Sequence, residues 1–246
     1  MYALHQSALI FHIVCGAVAL ILFWIPVATR KGSPIHKKVG KWFLLGMTAI
    51  AVSGIFLAGG SLLDPIGVRN AGQELPMADA FQQAESIRVF SLFLLMLSVL
   101  VLLSSRHATL VLKARDNRAL LRTPFHVGAQ IATLILSIAT GIVGFANSEV
   151  LLIIFFFVGM SGALGTLHYT FKKELKKNEW IVEHIGATIG CGIAAYTAFF
   201  AFGGRAMMSH ILSGQWQILP WVLPSVIGLF FARRVKNAWR EKFSIA

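Results

Sequence analysis

Imidazole is the side chain through which this sequence offers chemistry. Eight histidines are present, at positions 5, 12, 36, 107, 126, 168, 184 and 210. A histidine ligates haem or a metal ion, relays a proton, or simply completes a hydrogen bond. His36, His107, His126, His168 and His184 all stand where an apolar run meets a basic connection, so they are expected at one depth. Haem b in membranes commonly takes one histidine from each of two helices, near an interface. The inner candidate pairs are His126 with His184 and His168 with His184. His12 falls inside the first apolar run and would serve an outer site only if His210 folds back over it. The cofactor-binding candidates are therefore His12, His36, His126, His168 and His184. Lys37, Lys38 and Lys41 would neutralise haem propionates. His5, His107 and His210 are read as ordinary hydrogen-bonding residues.

Other chemistries have less to stand on. A zinc hydrolase needs ligands converging on an open coordination position and a carboxylate to handle the proton. No HExxH or HxxxH occurs, and Glu183 is the one acidic candidate beside the histidines. Being next to His184, it points about 100° away from it on a helix. Walker A, GxGxxG and GxSxG motifs are absent, so nucleotide and serine-hydrolase chemistry are unsupported. Cys15 and Cys191 both lie in apolar runs and form no CxxC pair, so they are read as small hydrophobes.

The elements that must position these residues are seven apolar stretches, roughly 6–28, 42–62, 87–106, 124–146, 149–170, 180–202 and 218–233. Each approaches the roughly 20 residues a spanning helix needs. Only 13% of the 246 residues are charged and 57% are apolar. All but three of the 22 lysines and arginines fall in 30–41, 106–122, 172–177 and 233–242, which is every second connection plus the tail. Only Arg69, Arg88 and Arg205 lie elsewhere. That alternation places the basic connections in the cytoplasm, the N-terminus outside and the C-terminus inside. The net charge of +12 then reflects topology and attraction to anionic lipid rather than nucleic-acid binding. No basic segment precedes the first span, which is read as a retained helix.

The fold class expected is an all-α bundle of seven transmembrane helices in a single domain. Polar residues at helical spacing should mark the faces turned inward. The run 124–146 gives the clearest stripe: His126, Gln130, Thr133, Ser137, Gly141 and Gly144. Span six offers His184, Thr188 and Cys191, with Gly186, Gly190 and Ala194 as a small-residue ridge. The connection 63–86 is read as a solvated, partly helical loop. The basic and aromatic tail reads as an interfacial helix.

Two segments carry a resemblance. Lys31 to Trp42 (KGSPIHKKVGKW) fits a KGxxxHxxxG signature, and Glu183 to Phe199 (EHIGATIGCGIAAYTAF) fits an EHI…TAF signature ahead of a proline-containing last span. Together with His12, these resemble a bacterial family of predicted multi-helix membrane proteins of unknown function. The resemblance implies a bacterial inner-membrane location and singles out His12, His36 and His184. It supplies no reaction.

Three functions fit this reading. A redox protein would hold b-type haem through histidines on the cytoplasmic side, with no Asp in any span to compete. A transporter or channel for protons, a metal ion or a small solute would line its path with the 126–144 stripe. An accessory subunit would use its polar residues for packing alone. The partners expected are the lipid bilayer and a redox partner or other membrane subunit.

Overall fold

The computed structural model describes residues 2–68, 76–115, 117–203 and 212–244. Seven long helices account for most of them: α1 (Tyr2–Ala28), α2 (Pro34–Leu63), α3 (Met77–Ala114), α4 (Pro124–Ala146), α5 (Val150–Phe171), α6 (Glu179–Ala198) and α7 (Leu219–Lys242). Short 3-10 turns, Arg118–Arg122 and Gly214–Ile218, lead into α4 and α7, and a π turn, Phe199–Gly203, extends α6. No strand occurs among the described residues. Every one of the seven helical segments is long and apolar enough to cross a bilayer. The chain is a multi-pass membrane protein.

The helices begin and end for local reasons. Pro34 occupies the first turn of α2, where its missing N–H costs nothing, and the Ser33 hydroxyl accepts the His36 backbone N–H at 3.2 Å. Gly32 makes the preceding turn at φ +80°, a left-handed conformation that suits glycine. The last carbonyls of α1 find donors in the same turn. Lys31 Nζ donates to Pro26 O and Val27 O, both at 2.7 Å. The signature around Lys31 and Ser33 is thus a built helix-to-helix corner.

Helices outrun the apolar stretches. α2 starts at Pro34 rather than near residue 42, and α3 runs 38 residues rather than 87–106. Hydropathy reports bilayer thickness, whereas backbone hydrogen bonding continues into the headgroups. Arg88 and Arg106 bracket the apolar part of α3, about 27 Å apart at 1.5 Å per residue, close to a hydrocarbon core of about 30 Å. The tail is no separate interfacial helix: α7 continues unbroken from Leu219 to Lys242. The expected loop 63–86 is helical from Met77 onward, and its residues 69–75 lie outside those described.

α3 is the hub, packed against α2, α4, α5 and α6, while α1 and α7 flank the bundle and bury little of their spans. The inward face of α4 is polar, beside apolar clusters such as Phe43, Leu44 and Met47 of α2 and Phe93 and Met96 of α3. On α4, His126, Gln130, Thr133, Ser137, Thr140, Gly141 and Gly144 are all buried. Ile131, Ile135, Ile138 and Ile142 occupy the other face and are exposed. A soluble helix would show the reverse; lipid rewards apolar surface outside. Close approach of α4 and α5 depends on Gly159, where an added Cβ would overlap Ser137 Oγ and lie 3.0 Å from Met96 Sδ.

Candidate functional site: a buried histidine–glutamate chain

Three helices meet where the basic connections gather. Arg118 donates to Lys173 O at 2.8 Å and Arg122 to Thr170 O at 3.4 Å, tying the α3–α4 and α5–α6 connections together. Inside that end, α3 contributes His107, α4 His126 and α6 Glu183. His107 Nδ1 is 3.1 Å from His126 Nε2, and His107 Nε2 is 3.0 Å from Glu183 Oε1. Both imidazoles are buried, whereas the Glu183 side chain keeps 25% of its surface exposed. The two rings are nearly parallel, at 8°. Tyr169 of α5 meets the His107 ring edge-on, with centroids 5.7 Å apart. The result is a hydrogen-bonded line from a partly exposed carboxylate to a fully enclosed imidazole.

With the Glu183 carboxylate ionised and His107 neutral, hydrogen bonding places the protons on this line. An ionised carboxylate only accepts, so His107 Nε2 carries the proton that it donates to Glu183. A neutral His107 then has a bare Nδ1, and His126 Nε2–H must donate to it. That leaves His126 Nδ1 as an unprotonated acceptor, buried and without a hydrogen-bond partner. Arg106 lies close enough to interact with His126 electrostatically, and its guanidinium rests on the Phe125 ring at 4.6 Å.

One turn along α4, Gln130 repeats the pattern. Its Nε2 donates to Thr170 Oγ1 at 2.9 Å, and that hydroxyl itself donates to Thr166 O at 2.8 Å. Thr170 Oγ1 is therefore an acceptor toward Gln130, which fixes the amide with Oε1 turned elsewhere. Gln130 Oε1 is also buried without a partner.

The remaining histidines are not part of this chain. His184, next to Glu183, places Nδ1 2.9 Å from Ala108 O. His36 places Nδ1 3.1 Å from Pro26 O and interacts electrostatically with His184. The hydrogen-bonding partner of His126 is His107, a residue outside the expected ligand pairs. His168 is exposed on α5, whose inward residues at that level are Tyr169 and Thr170, so it joins neither His184 nor His126. His12 lies further along α1, with Nδ1 2.9 Å from Ser53 Oγ, and His5 reaches Leu57 O at 3.3 Å. His210, invoked as a cover for His12, lies outside the described residues.

Sequence reasoning passed over His107 and gave Glu183 only a minor place. The available signal for Glu183 was its 100° offset from His184, which here lets the two side chains grip successive residues of α3. Among the described residues, no three His, Cys, Asp or Glu side chains are grouped to hold a metal ion. At the opposite end, a cavity of about 460 Å³ is bordered by Phe90, Ser148, Glu149, Phe202 and Trp221.

Comparison with protein-family models finds no match, and neither a curated protein nor a solved structure matches the chain.

Proposed function

We propose that this membrane protein handles protons, with Glu183, His107 and His126 as the relay at its cytoplasmic end. The observation that carries the reading is the bonding of His107 to both partners within a buried line. A proton arriving at His126 Nδ1 lets the Nε2 proton move to His107 Nδ1. The His107 Nε2 proton then passes to Glu183, which is in contact with solvent. Each transfer runs along a hydrogen bond already formed. Beyond His126, the α4 stripe continues through Gln130, Thr133, Ser137 and Thr140, about 21 Å along the helix. This line leads toward the α4–α5 turn and the cavity beside Ser148 and Glu149.

Basic connections on one side support a cytoplasmic placement for the relay end. With the two signature segments, they support a bacterial inner membrane as its location. Reconstituted vesicles carrying an internal pH dye test the function. Wild-type protein should dissipate an imposed pH gradient, and His107→Ala or Glu183→Gln should slow that at least tenfold, about 1.4 kcal/mol in barrier. Equal rates in wild-type, variant and protein-free vesicles would end the proposal.

Haem b is a second reading, supported by a different observation. His36 and His184 each hold Nδ1 against a backbone carbonyl, the arrangement that orients a ligating imidazole through its other nitrogen. By contrast, both ring nitrogens of His107 are committed to hydrogen bonds. Haem would therefore be held by His36 and His184 rather than by His107, and would supply one-electron chemistry. A Soret band in purified protein that His184→Ala abolishes would establish it; a spectrum without one after haem addition would remove it.

A further inference from the structure

We infer that a single water molecule is held at His126 Nδ1 and Gln130 Oε1, on the inward face of α4. The inference rests on the proton placement used for the relay, and it identifies what the relay's inner end meets. Two separate networks lead to it. With His107 neutral, its bonds to the Glu183 carboxylate and to His126 Nε2 leave the lone pair of His126 on Nδ1. Thr170, through its own bond to Thr166 O, fixes a lone pair on Gln130 Oε1. Both residues are fully buried, both atoms lack a partner, and positions 126 and 130 are one helical turn apart.

Two buried acceptors call for one donor of two hydrogen bonds. A buried lone pair left unmet is destabilising. Buried waters make on the order of three hydrogen bonds, so such a molecule also needs a donor. Arg106, beside His107 on α3, carries a buried Nε–H without a partner. Ammonium would also satisfy two acceptors. The guanidinium of Arg106, interacting electrostatically with His126, opposes a second positive charge there. Water, which donates twice and accepts, is the small molecule that two unmet acceptors and an unmet donor call for.

The test uses full-length protein with ¹⁵N-labelled histidine in lipid vesicles, studied by magic-angle-spinning NMR. The His126 resonances are those missing from His126→Gln protein. His126 Nδ1 should be unprotonated and receive magnetisation from water protons without added ammonium. In Gln130→Met that transfer should fall at least threefold while the Nε2–H···Nδ1 coupling to His107 persists. A protonated Nδ1, or no transfer from water, overturns the inference. Transfer that appears only with ammonium chloride replaces water with ammonium and overturns it equally. Should Gln130→Met misfold, the wild-type spectrum alone decides. Proton flux in the same vesicles separates the two ideas: absent flux with the water signal intact defeats the relay and leaves the water.

Discussion

Glu183 and His184 are neighbours on α6 that seize neighbours on α3: Glu183 bonds to the His107 imidazole and His184 to the Ala108 carbonyl. The 100° turn between successive helical residues lets α6 straddle α3 at that point. One clamp therefore both fixes the α3–α6 register and sets the exposed end of the histidine–glutamate chain.

Removing the middle of the chain should be costly. In His107→Ala, the buried His126 Nε2–H and the half-buried Glu183 carboxylate both lose their partner. Reversible unfolding in mixed micelles should show a loss of about 2–4 kcal/mol. Glu183→Gln keeps a side-chain oxygen to accept from His107 and should cost less than half of that.

Two glycines on α5 make a matched pair. Gly159→Ala drives a methyl into Ser137 Oγ, and overpacking of this kind costs about 1–3 kcal/mol. Gly165 has nothing within 4 Å of where its Cβ would stand, so Gly165→Ala should leave stability unchanged or raise it by up to about 1 kcal/mol. The same unfolding assay reads both.

The corner between α1 and α2 gives a third test. Ser33→Ala removes the hydroxyl that accepts the His36 N–H and should cost about 1 kcal/mol. If His36 and His184 act together in ligation, the variant should also shift any haem spectrum. If they do not, only stability moves.

Topology is open to direct labelling. In protein with Cys15 and Cys191 replaced by alanine, Lys38→Cys should react with a membrane-impermeant maleimide only from the cytoplasmic side. Asp79→Cys, at the start of α3, should react only from the other side. Both residues are exposed. Labelling of the two from one side would overturn the orientation.

How much of this could be read in the sequence depends on which force wrote each feature. The α4 stripe was legible because lipid penalises every polar residue on an outward face, so His126, Gln130, Thr133 and Ser137 announce the inside by spacing alone. Rotation of α5 was not legible. His168, Tyr169 and Thr170 are consecutive, and only packing against α3 and α4 decides that the last two turn inward. His107 was hidden because it follows Arg106 at the end of an apolar run, where solvated histidines are ordinary. Its importance comes from residues 19 and 76 positions away, a distance that periodicity does not reach. Helix ends were blurred for the reason given by α3, whose hydrogen bonding outlasts its apolarity at both ends.

The unbroken span of α3 has a mechanical consequence. A straight helix of 38 residues is about 57 Å long, nearly twice the hydrocarbon thickness. It cannot shorten to suit a thinner bilayer, so the molecule must meet hydrophobic mismatch by leaning. Because His107 follows Arg106 directly, any lean moves both with respect to the nearby headgroups. Bilayers of graded acyl-chain length should therefore tune how readily Glu183 meets water, making membrane thickness a control on the site.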